Sequence, residues 1–274
     1  MRRVISLALF RPLPGEHRHG DAHTYFPLFL PAVLRAARAI FPGWEVWIHH
    51  DEHMRPGPYG SALRVMHDRG LLRLVDCGRT PALTAAMLWR LHPVFDQSVE
   101  YVLCRDLDGL PIPRERMCVE RWIAARTALH AMHDHPGQRP DADDGYLPGG
   151  LMDVWAPAFR EQAPDITSVD YIIAEGNRRG LSFHAKGDDQ VILNALLRRD
   201  GLSSLVHPYD PQKRRAKVRH VDLPDVHPEV LEFGDGMCEH MGGVFDVAPV
   251  AAFYDKFETS GPIIDAEREV GWNG

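Results

Sequence analysis

The chain has 274 residues, of which 45% are hydrophobic and 25% charged, and its formal net charge is −7. At roughly 150 residues per domain, this length allows one large α/β domain or two small ones. The composition is typical of a globular protein and excludes collagen, coiled-coil and disordered chains. The negative charge disfavours a nonspecific nucleic-acid or anionic-membrane surface, because such a partner is repelled at long range.

Cysteine usage and the apolar runs indicate a soluble protein of a reducing compartment. The four cysteines have no short paired spacing, which predicts neither a disulfide framework nor a cysteine zinc site, so we expect reduced thiols and a cytoplasmic location. The opening apolar run stops at Arg11 without a cleavage site and is typical of a first strand rather than a signal peptide. The longest apolar stretch, YFPLFLPAVL, is too short for a transmembrane span, which needs about 20 residues.

The first half of the chain alternates apolar strands with helical patterns. Strands are expected at residues 4–10, 44–49, 71–76 and 99–104, and helices at 24–41, 62–68 and 80–92. Thr80 and Pro81 are a typical N-cap and first-turn pair for the last of these helices. Strands that alternate with helices favour a parallel sheet.

The second half is less regular. Helices are expected at residues 114–125, 168–179 and 188–197, a strand at 203–207 and a short apolar piece near Leu129. The Pro/Gly-rich, charged loop at 137–145 is expected to be exposed and mobile. With no internal repeat and no clear linker, the pattern favours a single domain.

The segment YVLCRDLDGL carries the strongest functional signal, because an apolar strand runs directly into Asp106 and Asp108. Ligands of parallel α/β sheets bind outside the carboxyl ends of the strands. Two carboxylates at such an exit can both face a hard cation such as Mg²⁺ or Mn²⁺, which in turn bridges to phosphate. Two solvated turn carboxylates are the alternative interpretation.

Two further segments stand out. In GDDQVILN, Asp188, Asp189 and Gln190 lie at the expected start of a helix, where acids also serve as ordinary partners of the helix dipole. In CEHMGGVF, His240 precedes two glycines and offers a nitrogen ligand beside a backbone that a phosphate can approach closely.

Taken in order, these segments resemble nucleotide-sugar glycosyltransferases of the GT-A fold. The resemblance covers AMLWRLHPVFD, VEYVLCRDLDGLPIPRERMCVERWI, HAMHDHPGQ and GYLPGGLMDVW, and the upstream FPGWEVWIHHD is similar to the second strand of bacterial polysaccharide-type members. The later DQVILN and HMGG are similar to the Asp-Gln and His-Gly motifs of retaining, glycogenin-like transferases. The resemblance implies a single domain with a mixed, mostly parallel Rossmann-like sheet flanked by helices.

The resemblance also implies residue roles. Residues 1–110 would form the nucleotide-binding half and 111–274 the acceptor and catalytic half. Asp106, Asp108 and His240 would hold Mn²⁺ or Mg²⁺ at the donor diphosphate. The donor would also contact Arg90, Asp106, Gly149 and Gly150, and the anomeric carbon would lie near Asp189 and Gln190. Because the sequence reads Gly187-Asp188-Asp189-Gln190, either aspartate can occupy the family position.

The chemistry of sugar transfer agrees with these roles. Breaking the sugar–phosphate bond leaves negative charge on the nucleoside diphosphate, which a divalent cation stabilises. An amide such as Gln190 suits the cationic face of the sugar, and a carboxylate at 188 or 189 can orient or deprotonate the acceptor hydroxyl. The Asp-Gln resemblance favours retention of configuration, and the acceptor is expected to be a glycan or a small molecule.

Three alternatives remain open from the sequence. A metal hydrolase would use His130, His133 and His135, if ligands three residues apart shared a helix face. A noncatalytic nucleotide-sugar or glycan-binding protein would keep the same fold without turnover. The basic run KRRAKVRH, residues 213–220, would contact a nucleic-acid acceptor, although such a run is more often a solvated loop.

Overall fold

The computed structural model describes residues 1–10, 22–54, 57–79, 82–133, 147–207 and 261–271. The strands are β1 (Arg2–Leu9), β2 (Glu45–His50), β3 (Arg73–Asp76), β4 (Val99–Arg105), β5 (Leu129–Met132), β6 (Leu151–Trp155) and β7 (Ser204–His207). They form one sheet of seven strands in the order β3-β2-β1-β4-β6-β5-β7. Within the described residues, the chain therefore has a single continuous sheet at its centre.

The helices lie between these strands in the sequence. They are α1 (Ala22–Ile40), α2 (Gly57–Asp68), α3 (Leu83–Met87), α4 (Pro113–Ala125), α5 (Ala156–Gln162), α6 (Val169–Arg178), α7 (Asp188–Leu197) and α8 (Gly261–Glu269), with 3₁₀ helices at Glu52–Met54 and Leu88–Phe95. None of the described helices is long and apolar enough to cross a membrane. Among the cysteines, Cys77, Cys104 and Cys118 are free thiols.

The sheet is mixed but mostly parallel, as the sequence predicts. Strands β3, β2, β1 and β4 pair in parallel, and β5 pairs in parallel with β7. Of the seven described strands, β6 alone runs antiparallel to its neighbours, β4 and β5. The carboxyl ends of six strands therefore meet at one edge, where the start of the reversed strand β6 also lies.

Two apolar layers cover the two faces of the sheet. On one face α1, α2, α4 and α8 bury residues such as Leu34, Met66, Trp122 and Ile263. On the other face α3, the 3₁₀ helix Leu88–Phe95, α5, α6 and α7 bury a second cluster around Trp89 and Phe159. Both faces are covered by helices, as the apolar parallel strands require.

Several predicted elements differ from the structure. The helix expected at 80–92 begins at Leu83, with Ala82 at its N-cap, and tightens into a 3₁₀ helix from Leu88. Residues 80–81, for which the cap was predicted, lie outside the described residues, as do the loops 137–145 and 213–220. Residues 151–155 and 156–162 form β6 and α5, which the sequence analysis did not predict.

The helix face proposed for His130 and His133 is wrong. Residues 129–132 form strand β5, because the segment fills a buried place between β6 and β7. His130 lies on this strand and His133 directly follows its end, so the two histidines are not on one turn of a helix.

Candidate functional site

The site is built around the turn that follows β4. The central strand β4 is buried and ends at Arg105, so Asp106 is the first residue beyond the sheet. The main-chain amide of Gly109 donates to the carbonyl of Asp106 at 3.1 Å, which closes a tight turn that also holds the half-buried Asp108. Both predicted carboxylates thus lie at the carboxyl end of the sheet, where the sequence places them.

Arg90 crosses this turn from the 3₁₀ helix Leu88–Phe95. Its side chain is only 3% exposed, and its Nε donates to the carbonyl of Met87 at 2.9 Å. Nη1 forms an ion pair with Oδ1 of Asp106, and Nη2 lies 3.7 Å from Oδ2 of Asp189. One guanidinium therefore joins two predicted site carboxylates that are 83 positions apart in the sequence.

The two glycines before β6 pack directly against these charged groups. A Cβ placed on Gly150 would overlap the carboxylate of Asp106. A Cβ on Gly149 would lie 3.1 Å from both Arg90 Nη2 and Asp189 Oδ2, and 3.6 Å from Cγ of Gln190. A Cβ at Gly150 would therefore force a shift, whereas a Cβ at Gly149 would make tight contacts that the neighbouring side chains could relieve by moving a few tenths of an ångström.

The start of α7 supplies the remaining side chains. Gly187 occupies the N-cap position with φ of 96°, a left-handed conformation that favours glycine. Asp189 is buried beside Arg90, whereas Asp188 is half-buried and no hydrogen bond or ion pair is described between it and the site. The structure thus brings Asp189, rather than Asp188, to Arg90.

Asn194 has a positional role that the sequence analysis missed. Its Oδ1 accepts from the amide of Leu147 at 2.8 Å, and its Nδ2 donates to the carbonyls of Leu147 at 3.0 Å and Gln190 at 2.7 Å. This amide ties the segment that leads into Gly149 to the helix that carries Gln190. The signal was present in DQVILN, because residues four apart share a helix face.

Burial and mutual charge set the electrostatics of the site. Burial alone lowers the pKa of Arg90, but the carboxylates of Asp106 and Asp189 outweigh it and hold that pKa above its ordinary value. Burial raises the pKa of Asp189; the cation of Arg90 lowers it by less, and the nearby negative charge of Asp106 adds to the increase. Among the described side chains that meet here, the two carboxylates of Asp106 and Asp189 therefore share the one cation of Arg90.

Not every predicted site residue is described. Arg90, Asp106, Gly149, Gly150, Asp189 and Gln190 come together, and Asp108 lies in the same turn. His240 lies outside the described residues, so its part in the site stays a prediction. Among the described residues no group of three or more histidine, cysteine or acidic side chains is arranged as a metal site.

Comparison with known proteins identifies the fold. No protein-family model matches the sequence, and no curated protein is significantly similar to it. The glycosyltransferase GlyE of Streptococcus pneumoniae TIGR4 has a similar structure, with a TM-score of 0.50 and 13% identity over 98% of this chain and 64% of GlyE. The chain thus spans less than two thirds of the length of GlyE.

Two other solved structures have TM-scores below 0.5. The galactosyltransferase LgtC, solved with donor and acceptor sugar analogues, has a TM-score of 0.47 and 16% identity over 89% of this chain and 85% of LgtC. TarS of S. aureus, solved with UDP, has a TM-score of 0.45 and 10% identity over 77% of this chain and 62% of TarS. At the level of the fold, the predicted class is confirmed: a GT-A-type, Rossmann-like sheet flanked by helices.

Proposed function

We propose that this protein transfers a sugar from a nucleoside-diphosphate sugar to an acceptor hydroxyl, with the help of a divalent metal and with retention of configuration. The observation that supports this most is the convergence of Arg90, Asp106, Gly149 and Asp189 at the carboxyl end of the sheet. These residues come from four separate segments of the chain, and a parallel α/β fold binds its ligands at this place.

The residues present fit a hard divalent cation. The side chain of Asp106 is 38% exposed despite its contact with Arg90, and Asp108 follows in the same turn. Carboxylate oxygens are the ligands that Mg²⁺ and Mn²⁺ prefer. We propose Asp106 and Asp108 as metal ligands, with His240 as a third. When bound, the cation supplies positive charge for the departing diphosphate.

The protein's own side chains would position the two substrates. Arg90 fixes the carboxylates of Asp106 and Asp189 relative to each other, and it presents fixed positive charge toward the donor. Asp189 is buried, and its ionised carboxylate can only accept hydrogen bonds. It would therefore accept a hydrogen bond from a sugar hydroxyl and orient that hydroxyl. The amide of Gln190 would face the anomeric carbon and stabilise its developing positive charge without becoming a committed nucleophile.

The two halves of the chain would divide the work. We propose that residues 1–110, which contain β1 to β4, bind the nucleotide, and that residues 111–274 supply the acceptor side and Gln190.

The acceptor would be a glycan or a small molecule, with nucleic acid as a narrower alternative through residues 213–220. A cytoplasmic location stays a prediction from the spacing of the cysteines in the sequence.

A screen of nucleotide sugars tests this proposal. The wild-type protein, with Mn²⁺ or Mg²⁺, is incubated with UDP-, GDP-, ADP- and dTDP-sugars, and release of the nucleoside diphosphate is followed with and without a set of sugar acceptors. We expect one donor to release its nucleoside diphosphate, and chelation of the metal to stop this. Tight binding of a donor without any turnover would instead establish the noncatalytic binding protein.

A further inference from the structure

A second group of buried charges lies on the opposite face of the sheet from Arg90. Successive residues of a strand point to opposite faces, and Cys104 faces Arg90, since its Sγ lies 3.7 Å from the Arg90 carbonyl. The side chain of Arg105 therefore points the other way. Its guanidinium donates to Oε1 of Glu115 at 2.7 Å, to Oδ1 of Asp153 at 2.5 Å and to the carbonyl of Cys104 at 2.7 Å.

The contacts continue from strand to strand across the sheet. Oδ2 of Asp153 lies 2.6 Å from Nδ1 of His130, which must be the donor because a carboxylate only accepts. Nε2 of His130 lies 2.7 Å from Nδ1 of His207. We call Arg105, Glu115, Asp153, His130 and His207 the Arg105 network. It runs through β4, β6, β5 and β7, which are consecutive strands of the sheet.

Stability alone is a poor explanation for this network. Buried ion pairs are often no more stable than well-packed apolar residues of the same volume, because removing charges from water is costly. Nη2 of Arg105 is buried without a hydrogen-bond partner among the described residues, which adds to that cost. What the network does provide is a fixed geometry between strands.

That geometry bears directly on the candidate site. Asp106 follows Arg105 in the chain, and Asp153 lies three positions after Gly150. The bond between Arg105 and Asp153 therefore joins the two strands whose ends carry Asp106 and Gly150. The backbone of Gly150 packs directly against the carboxylate of Asp106, on the face of the sheet that carries Arg90.

We propose that Arg105 is a positioning residue, which sets the distance between the Asp106 turn and Gly149–Gly150 through its bonds to Asp153 and Glu115. His130 supports it by holding the second oxygen of Asp153, and the indole of Trp122 lies parallel to the His130 ring, 5.3 Å away between centroids. Arg105 contacts no substrate in this account. The expected effect of Arg105 on turnover rests on the proposed function, whereas its expected effect on the position of Asp106 does not.

The first test replaces Arg105 by lysine. A lysine keeps the charge but lacks the planar fork that reaches three acceptors at once. Arg35→Lys is the matched control, since Arg35 is equally buried in an ion pair with Glu267 at 2.6 Å, which joins α1 to α8. In crystal structures we expect Arg105→Lys to displace Asp106 from Arg90 and Gly150, and Arg35→Lys to leave them in place. An unmoved Asp106 in Arg105→Lys would overturn the proposal, whatever the protein's activity.

The kinetic test uses the donor that the screen identifies. We expect Arg105→Lys to lower kcat by about 10- to 10²-fold and to raise the Mn²⁺ concentration needed for half-maximal rate, with the acceptor KM unchanged. Arg35→Lys should lose thermal stability without either effect. If both variants lose activity only in proportion to unfolded protein, Arg105 is merely structural. Absence of wild-type turnover would reject the proposed function, and the crystal structures would still decide the positioning role.

Two variants of His130 keep the test decisive if Arg105→Lys does not fold. Asparagine places an amide N–H close to the position of Nδ1 and can still donate to Asp153, whereas phenylalanine keeps only the ring beside Trp122. We expect His130→Asn to retain most of the turnover and the wild-type Mn²⁺ dependence. His130→Phe should lose turnover and need more Mn²⁺ for its half-maximal rate. Equal kinetics in the two variants would contradict a role that acts through Asp153.

Discussion

Gly150 shows at the scale of one residue how closely the site is built. Because a Cβ at this position would overlap the carboxylate of Asp106, the substitution Gly150→Ala must move the side chain of Asp106, the turn that carries it or the strand. We expect a fall in kcat of about 10- to 10²-fold with a cooperative thermal transition, since a small misplacement of a reacting group is enough for such a loss.

Gly261→Ala is the control for this substitution. Gly261 begins α8, and apart from its chain neighbours and its own helix backbone, no atom of the described residues lies within 4 Å of the position that its Cβ would take. It should leave the kinetics unchanged. Kinetics of Gly150→Ala that match those of Gly261→Ala would mean that the contact between Gly150 and Asp106 has no part in turnover.

Gln190 is the residue on which the proposed retention of configuration depends. In a retaining transfer the leaving diphosphate and the incoming hydroxyl share one face of the sugar, so the other face needs a dipole that stabilises positive charge. Gln190→Ala should lower kcat by roughly 10- to 10³-fold with little change in donor KM, the pattern of an interaction made mainly in the transition state.

The anomeric configuration of the product gives an independent measurement. NMR coupling constants of the product should show the configuration of the donor. An inverted product would reject retention and would transfer the catalytic role to a carboxylate base at Asp189 or Asp188. Gln190 would then be only a residue of the first turn of α7.

At the scale of secondary-structure elements, His49 in β2 makes stability depend on pH. Burial first, then the charges of His92, His50 and Arg73, hold the pKa of His49 well below its ordinary value. The unfolded chain takes up a proton near the ordinary value of about 6.5, so below that pH the unfolded state binds more protons than the folded one. Stability from the neutral His49 is therefore complete above this pH and is lost as the pH falls.

His49→Gln tests this assignment. Between about pH 7.5 and 5.5, the melting temperature of the variant should fall less than that of the wild type. His53→Gln is the control, because His53 is exposed, and it should keep the wild-type slope. A wild-type slope in His49→Gln would mean that another group causes the acid sensitivity.

The sequence predicts the strands that bury both faces and the helices with a clear apolar stripe. Strands β1, β2 and β4 and helix α7 lie within a few residues of their predicted bounds, because an uninterrupted apolar run or a regular period leaves few alternatives. Strand β6 was missed because Leu151–Trp155 follows two glycines and pairs antiparallel, with partners that are distant in the sequence.

The site was predictable in its residue types but not in its contacts. Asp106 was evident from its place after β4, whereas the choice between Asp188 and Asp189 depends on which residue of the first turn of α7 faces Arg90. The Arg105 network could not be predicted from the sequence, since Arg105, Asp153 and His207 meet only through sheet pairing. Periodicity reports which side of an element is buried, not which partner it meets.

At the scale of the whole molecule, the basic run contrasts with a net charge of −7. A run of like charges is usually a solvated loop. If that holds here, replacing Lys213, Arg214 and Arg215 by serine should change the melting temperature little, because surface substitutions usually contribute within about 0.5 kcal/mol. If this segment contacts the donor phosphates, the donor KM should rise and lose part of its salt dependence. Unchanged KM values for donor and acceptor would make it an ordinary solvated loop.

We propose that Asp106 and Asp108 hold the metal that sugar transfer needs. Removing these two carboxylates tests this most directly. Asp106→Asn and Asp108→Asn keep the volume and lose the charge, and Asp165→Asn is the control at an exposed carboxylate that pairs with Arg199. Nucleoside-diphosphate release and glycosylated product are measured with the identified donor and Mn²⁺. We expect each of the first two variants to lose at least about 10²-fold in turnover while melting cooperatively, and the control to match the wild type. Near-normal turnover in both Asp106→Asn and Asp108→Asn would contradict the account.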